Sequence, residues 1–477
     1  MPFTLGIASG EPSAHGVLLW TRIFPREFDP DTLHAADVEV RWELADDEGF
    51  SRALRSGRVR ALASEAHTVH LDIVGLESDR WYFYRFHCGS FTSVVGRTRT
   101  LPRSEVKHLR FAVSSCQHYE AGYFAAHRHL AAEALDLIWF VGDYIYEYGP
   151  TTGANKAVRQ HDGGHCKTLA DYRRRYALYK RDANLQLMHA SAPFLPIWDD
   201  HEVDNDYAAL TSRDHDPAFA ARRAAAYRAY MEHMPIHMPR MAADGSVCLY
   251  RNVDFGRLVR FHALDDRQYR DEQACSPAGH GAGYKGMNDC EERVQATRTM
   301  LGPAQEKWFD QSIASSQARW NIVAQQTLMA QAQLGGRVWV DGWDGYPAAR
   351  SRLLSALARP GVHNPIVVGG DVHATYVSDL RLDAARDDTP IVAREFCGTS
   401  ISTPSWPQTW ADRLVRENPS IRYARSDRRG YLLFDMTSDE LKVTVRALDD
   451  ARKEDAQIES LVSFEVTNGQ TGSVFPG

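Results

Sequence analysis

The first hundred residues alternate between apolar and polar positions, which is the period of half-buried β-strands. Residues 38–44 (VEVRWEL) and 67–73 (HTVHLDI) alternate, and the turn GLESD leads into a third such run from Trp81. Short strands separated by turns predict a small all-β sandwich of the immunoglobulin or fibronectin III kind. The polar segment TRTLPRSEVK predicts its end, so we expect a first domain over residues 1–103.

From residue 109 onwards, apolar runs of strand length alternate with stretches of helical period. Helices are predicted over residues 122–135, over residues 168–190 after a Thr168–Asp171 capping box, and from Asp216 to Met234. Strands are predicted over residues 110–115, 137–141, 195–198, 258–264, 322–325 and 366–368. This alternation is typical of a layered α/β domain, which we expect over residues 104–477.

Composition narrows the class of protein. The chain has 477 residues, 44% hydrophobic and 25% charged, which is ordinary for a globular protein and excludes a disordered or coiled-coil chain. Its formal charge of -7 disfavours nucleic-acid binding. We expect no membrane span, because no apolar stretch approaches the required length. The opening MPFTLGIASGEP resembles no signal peptide, so we expect a periplasmic or extracellular location for a mature form and a cytoplasmic one otherwise.

The seven cysteines leave two possibilities open. Cys275 and Cys290 flank a glycine-rich segment and could close it with a disulfide, or all seven thiols could be reduced. Cys116 differs from the others because it directly follows a predicted strand. Four histidines without a ligand-like spacing are expected at the surface: His127, His129, His161 and His165.

Potential metal ligands follow nearly every predicted strand, at the strand ends where ligands bind in α/β folds. They are Cys116, Asp143 with Tyr146, Asp199 with Asp200 and His201, Asp265 with Asp266, Gln325 with Gln326, and Asp371 with His373. A single Asp after a strand is usually a helix cap, but this combination of carboxylates, imidazoles, phenol and thiol fits a metal site better. Thiolate and phenolate favour ferric iron, and carboxylate and amide oxygens favour calcium, magnesium or manganese. Two adjacent metals suit hydrolysis of a phosphate ester.

Six separated motifs resemble the alkaline phosphatase D family, which is distantly similar to the purple acid phosphatases. They are SSCQ, GDYIYE, WDDHEVDN, AQEKWF, WDGYPAAR and GGDVHA, and the opening GIASGEPSAHGVLLWTRI agrees with them. GDYIYE has the GDxxY form of purple acid phosphatases. Where the wider metallophosphoesterase superfamily has DxH, this chain has SSCQ, with Cys116 in the ligand position. The resemblance covers essentially the whole chain and implies a metallophosphoesterase-like catalytic domain.

The resemblance also implies cofactors and residue roles. Members of the family carry Fe³⁺ with Ca²⁺ beside it, although other divalent metals are possible. By position, Cys116, Asp143 and Tyr146 would hold iron, and Asp143, Asp200, Asp371 and His373 would hold the neighbouring metal or metals. Asn205 is a further expected ligand. Asp199 would either bind metal or orient His201, which together with Asp200 would serve catalysis, the histidine by assisting the leaving oxygen.

Four functions remain open. The first is hydrolysis of small phosphate monoesters, and of diesters too, by metal-bound hydroxide attacking phosphorus. Diesters are expected because few basic residues lie within the motifs to offset the carboxylates, and Arg267 and Arg350 are the nearest in sequence. The second is a phosphodiesterase of phospholipase D type. The third, a catalytically silent metal-containing binding protein, is disfavoured by the Asp200–His201 pair. The fourth, an iron redox protein, is disfavoured by the many carboxylates.

Overall fold

The strands and helices come from a computed structural model of the chain. It describes residues 2–24, 36–152, 157–238, 242, 245–276, 287–288, 290–383, 386 and 388–470. Within these residues, no helix is both long enough and apolar enough to cross a bilayer.

Two antiparallel sheets make up the first hundred residues. One has the strand order β1-β2-β5, and the other has the order β4-β3-β6-β7 with β8 paired to β6. Apolar side chains from both sheets form one core, including Val17, Leu19, Val40 and Tyr84. The strands are β1 Ile7–Ser13, β2 Gly16–Arg22, β3 Val38–Ala45, β4 Ala53–Ala61, β5 Thr68–Val74, β6 Trp81–Cys88, β7 Phe91–Thr92 and β8 Gly96–Arg99.

Two larger sheets, both mixed, form the rest of the described chain together with one small pair of strands. The first sheet has the order β11-β10-β9-β21-β22-β23, the second has β12-β13-β15-β17-β19-β18-β20, and β14 pairs with β16. The strands are β9 His108–Ser114, β10 Leu137–Val141, β11 Phe194–Ile197, β12 Arg251–Phe255, β13 Val259–Ala263, β14 Met287–Asn288, β15 Trp320–Ala324, β16 Arg337–Val338, β17 Pro365–Gly369, β18 Thr375–Arg381, β19 Ile391–Cys397, β20 Ile421–Arg425, β21 Gly430–Thr437, β22 Glu440–Leu448 and β23 Ile458–Thr467.

Apolar cores join the two large sheets to each other and to the helices. The shared core of the sheets includes Phe111 and Trp139 of one and Phe261 and Phe396 of the other. A second core packs the first four helices against the six-stranded sheet, and a third packs the last three against the seven-stranded sheet. The helices are α1 Ala125–Ala131, α2 Leu169–Lys180, α3 Ala183–Ser191, α4 Phe219–His233, α5 Gly302–Ala314, α6 Pro347–Leu357 and α7 Gln408–Glu417.

The structure confirms the predicted strands of the α/β region to within three residues and corrects the helices. The helix predicted over residues 168–190 is two helices, because the Asp182 carboxylate accepts the N–H groups of Asn184 and Leu185 and so starts α3. The capping box of Thr168 and Asp171 is present at the start of α2. The helix expected over residues 122–135 covers only α1, and the one expected from Asp216 begins at Phe219.

The described cysteines are five free thiols and one disulfide. Cys275 and Cys290 are bonded, which confirms the pairing that the sequence left open. Most of the glycine-rich segment between them lies outside the described residues. Of the free cysteines, Cys116 is completely buried.

Candidate metal centre

Strands from both large sheets end beside one another, and the residues that follow them form the site. In the first sheet β9, β10 and β11 run parallel, and in the second β13, β15 and β17 do. Their carboxyl ends therefore lead into the same region of the molecule. The potential ligands that follow these strands are Cys116, Asp143, Asp199, Asp200, Asp371 and His373. The sequence predicted such a cluster at strand ends but not that two sheets would share it.

The backbone turns sharply at these strand ends. Gly142 packs so closely against the next strand end that a Cβ atom added to it would lie 2.3 Å from Cβ of Asp199. Such strained turns concentrate at functional sites, where the surrounding fold fixes them. Five site residues other than glycine have left-handed backbone conformations: Cys116 at φ 58°, Asp143 at 57°, Asp206 at 57°, Asp371 at 62° and His373 at 56°.

One group of ligands contains the thiol. Cys116, Asp143 and His373 offer ligand atoms within 4.8 Å of one another. The Tyr146 hydroxyl donates to Asp143 Oδ2 at 2.8 Å and lies 3.2 Å from His373 Nε2 and 2.8 Å from Thr403 Oγ1. The resemblance assigned His373 to the neighbouring metal, whereas the geometry groups it with the thiol and the phenol.

The thiol and the phenol of this group need a cation to ionise. Burial, together with the Asp143 carboxylate, raises the pKa of the Cys116 thiol and of the Tyr146 hydroxyl well above their ordinary values. Burial also acts to raise the pKa of Asp143, but His201 and His373 outweigh it, and the net shift is downward. A bound multivalent cation would favour the anionic forms of all three side chains.

A second group of ligands is made of carboxylates. Asp199, Asp200 and Asp371 offer oxygens within 4.8 Å of one another, and Asp200 also belongs to such a group with Asp206 and Asp341. The carboxylate oxygens Asp143 Oδ1 and Asp199 Oδ2 are buried and accept no hydrogen bond within the described part of the chain. A buried carboxylate oxygen without a donor is costly, so these atoms fit metal ligation.

Arg267 lies among these carboxylates and is completely buried. Its Nη1 is 2.5 Å from Asp341 Oδ2 and its Nη2 is 3.0 Å from Asp371 Oδ1, and its Nε donates to Asp199. Nη2 also lies 3.6 Å from Asp200 Oδ1. Burial acts to lower the pKa of Arg267, but these four carboxylates raise it well above its ordinary value. The sequence predicted little basic charge in the site, and the structure corrects this because Arg267 opposes four of the carboxylates.

His201 has a carboxylate partner that the sequence analysis did not name. Its Nδ1 lies 2.7 Å from Glu147 Oε2, and its ring stacks 4.1 Å from the Tyr146 ring. The other Glu147 oxygen accepts the backbone N–H of Asn205 at 3.0 Å, and Asn205 lines a cavity that Asp143, Asp200 and Asp371 also line. Asp199 was expected to bind metal or to orient His201; the orienting carboxylate belongs to Glu147.

Several site residues escaped the sequence analysis. Asp206 directly follows Asn205, and Asp341 lies beside the WDGY segment, which opens a short helical turn. The signal that could have identified both residues is their position next to a motif. Thr403 had no signal, because it reaches Tyr146 from a loop far along the chain. By contrast, Asp265 is held by Trp198 Nε1 at 2.9 Å and by three hydrogen bonds from its neighbours, which is a structural role.

Two of the four histidines expected at the surface are buried. His127 is 0% exposed, with Nε2 2.7 Å from Gln117 Oε1. His161 is 3% exposed and bonds the Tyr179 hydroxyl at 2.9 Å. His165 is exposed, as expected. Polar partners inside the fold make burial of these imidazoles tolerable, and sequence spacing does not reveal such partners.

Glu202 ties two of the strand ends together. Its Oε2 accepts the backbone N–H groups of Asp143 at 3.2 Å and Asp199 at 2.8 Å, and its Oε1 accepts that of Tyr144 at 2.5 Å. Burial and then the Asp143 charge raise the pKa of Glu202 to about 8, against the effect of these hydrogen bonds. The carboxylate therefore positions two potential ligands without contacting a substrate.

We expect Glu202→Gln to weaken metal binding by about 10–100-fold, the usual effect of losing a residue that holds ligands in place. The glutamine amide accepts hydrogen bonds through its oxygen only, so its NH₂ group would face at least one of the three buried backbone N–H groups. The measurement is a competition titration with a chelator. Glu232→Gln is the matched control, since Glu232 is equally buried but bonds Arg173 and Arg228. Equal metal affinity in both variants would contradict this role.

Comparisons with known proteins agree with one another. The family model described as PhoD-like phosphatase matches residues 111–445, and the model of its N-terminal domain matches residues 1–102. Alkaline phosphatase D of Bacillus subtilis (strain 168) is 40% identical over an alignment of 484 positions, which covers 99% of this chain and 82% of that protein. The solved structure of PhoD superposes with a TM-score of 0.93 at 39% identity, covering 100% of this chain and 92% of that one.

Proposed function

The chain belongs to the PhoD-like phosphatase family and is a phosphoric ester hydrolase, and from this premise we propose that it hydrolyses phosphate monoesters and diesters in a metal-dependent reaction. The observation that carries the proposal is the pair of adjoining ligand groups, Cys116–Asp143–His373 and Asp199–Asp200–Asp371. Adjacent metals suit displacement at phosphorus.

The donor chemistry supports two kinds of metal. The thiol of Cys116, the phenol of Tyr146 and the imidazole of His373 suit ferric iron. The all-oxygen group around Asp200 and Asp371 suits calcium, and Asn205 at the cavity wall adds a potential amide oxygen. When bound, the metals would supply Lewis-acid activation of water and of the phosphoryl group.

The chain's own residues would orient the substrate and move the proton. His201 lines the cavity, and its hydrogen bond with Glu147 at Nδ1 leaves Nε2 to donate to the departing oxygen. Arg267 is fully engaged with carboxylates, so it would limit their mutual repulsion without binding the substrate. Asp200 would hold metal beside the reacting phosphate.

The proposal extends to domains and compartment. We propose an immunoglobulin or fibronectin III-like sandwich over residues 1–103 and a layered metallophosphoesterase-like domain over residues 104–477, supported by the separate cores of the two parts. A periplasmic or extracellular location is supported by the Cys275–Cys290 disulfide, because such bonds persist in oxidising compartments.

Metal analysis and hydrolysis assays test the function together. We expect iron and a second, oxygen-preferring metal in the purified protein, and loss of hydrolysis on chelation. Hydrolysis of nitrophenyl phosphate and bis-nitrophenyl phosphate should both be measurable when kcat/KM is compared from about pH 6 to about pH 10. A diester rate lower by several orders of magnitude throughout would leave a strict phosphomonoesterase.

Colour provides a readout that does not depend on activity. Ferric iron bound by the Tyr146 phenolate should give a visible charge-transfer band, which Tyr146→Phe should bleach or shift and Cys116→Ala should remove with the iron. Tyr148→Phe is the matched control, because Tyr148 is a neighbouring phenol whose ring packs against His201, whereas the Tyr146 hydroxyl bonds Asp143. A colourless, fully active enzyme that contains only zinc would contradict this ligand set.

A further inference from the structure

The cavity at the metal centre has a polar end and an apolar side. Its volume is about 140 Å³, and it opens to solvent. Asp200, His201 and Asp371 line its polar end. The residues of the apolar side, which we call the apolar wall, are Leu328, Ala330, Trp339, Val372, Tyr376 and Trp406. A phosphate held at the polar end would bring its ester group against this wall.

Flat aromatic surfaces dominate the outer part of the apolar wall. The rings of Trp339 and Trp406 lie 4.3 Å apart at an angle of 41°. Trp406 keeps 37% of its surface exposed although it is a large apolar residue. Trp410 packs edge-on against Trp406 at 5.3 Å but does not line the cavity. An indole is rigid and offers a broad face, so it binds flat apolar groups at a low entropic cost.

Hydrogen bonds fix the loops that carry the wall. The buried Glu395 carboxylate accepts the backbone N–H of Met329 at 2.6 Å and that of Ala330 at 2.9 Å. The Ser405 hydroxyl donates to the Val372 carbonyl at 3.2 Å, which ties the Trp406 loop to the turn that carries Asp371. A wall that is ordered in advance loses little freedom when a ligand binds.

The charged residues that line the cavity disfavour an anionic ester group. Among the described residues that line the cavity there is no lysine and no arginine. Asp341 and Asp344 also line the cavity, and their carboxylates pair with Arg267 and Arg350, which do not line it. An ester group that carries a further phosphate would therefore find no lysine or arginine side chain there to pair with, whereas an uncharged group needs none.

We propose that the apolar wall is a subsite for an uncharged aromatic group of the phosphate ester, stacked on Trp406. The proposal rests on the function proposed above and names the substrate class of that site. An acyl chain is the less suitable occupant, because a flexible chain loses conformational freedom when it is held against an ordered wall, whereas a flat ring does not.

Binding of phosphonates to the metal-loaded protein tests the subsite without turnover. Methyl-, octyl- and naphthylmethylphosphonate share one head group, and calorimetry gives their dissociation constants. We expect the naphthylmethyl compound to bind about 10–100-fold more tightly than the methyl compound. This is the gain in affinity that stacking of a nucleic-acid base on an aromatic side chain typically provides. Trp406→Ala should reduce this preference by about 10-fold and Trp406→Phe should restore most of it. Trp410→Ala is the control that should leave it unchanged.

The outcomes separate the subsite from the function. Equal affinity for all three phosphonates, or a preference that survives Trp406→Ala, would overturn the subsite while ester hydrolysis continues. Octylphosphonate binding as tightly as the naphthylmethyl compound would identify a lipid-like occupant and reject the aromatic one. Failure of the proposed function would appear differently, as metal-loaded wild-type protein that hydrolyses neither nitrophenyl ester.

Discussion

His201→Ala is expected to slow hydrolysis of alkyl phosphate esters by about 10²–10⁴-fold, the usual contribution of a general acid. Burial acts to lower the pKa of His201, but Glu147, Asp143 and Asp200 outweigh it and raise that pKa well above its ordinary value. The Glu147 carboxylate, whose Oε2 lies 2.7 Å from Nδ1, favours the protonated imidazole. Alkoxide leaving groups need a proton, whereas nitrophenolate does not, so aryl esters should be slowed much less.

Metal content decides between this role and ligation, because His201 also offers a ligand atom within 4.8 Å of Asp143 and Asp200. A general acid can be removed without loss of metal, so His201→Ala should retain the full metal complement by elemental analysis. Glu147→Gln keeps a hydrogen-bond partner but removes the charge, and it should slow alkyl esters less than His201→Ala does. Loss of one metal, or equal slowing of alkyl and aryl esters, would disprove the general-acid role.

Arg267→Met should destabilise the metal-free protein by about 3–5 kcal/mol, the range observed when one partner of a buried ion pair is removed. Arg267 and its partner Asp199 are both 0% exposed, and contacts with Asp341 and Asp371 add to the cost. Methionine fills much of the same volume but leaves these carboxylates without an opposing charge. The measurement is denaturant unfolding in the presence of a chelator.

The loss of stability in Arg267→Met should depend on pH in a defined direction. Burial already raises the pKa of Asp199 well above its ordinary value, although Arg267 opposes the shift, and removing Arg267 would raise it further. A carboxylate whose pKa is higher in the folded state destabilises the fold as the pH rises through that pKa. The difference in the free energy of unfolding between variant and wild type should therefore become smaller as the pH falls from about 8 to about 5. Arg267→Lys, which keeps the charge, is the control, and a gap that widens in acid would contradict the electrostatic explanation.

Features that depend on neighbouring residues could be predicted from the sequence. Strand β10 was predicted with its observed bounds, because five consecutive apolar residues before a glycine indicate a buried strand. The motifs also identified the family, which the comparisons confirm. The motifs SSCQ, GDYIYE and GGDVHA each carry a potential ligand directly after a strand, so a local signal was sufficient to single out Cys116, Asp143 and Asp371.

Features that depend on distant partners could not be predicted. Strand β21 pairs with β9 although more than 300 residues separate them, for example Phe434 with Phe111, and no local pattern encodes a pairing partner. The strands β21, β22 and β23 form half of the six-stranded sheet and were not predicted. Strand β22 alternates between exposed and buried positions, so a local strand signal was present, but its place in the sheet was not encoded locally.

The sequence by itself therefore determined the fold family and most of the candidate ligands, because those signals lie within short segments. Only the tertiary structure decided that His373 lies with Cys116, that Glu147 holds His201 and that Arg267 balances four carboxylates. The physical reason is that metal ligation, ion pairing and burial depend on distances of a few ångströms between segments far apart in the chain. Those distances are set by how the two sheets pack, and the order of residues does not state them.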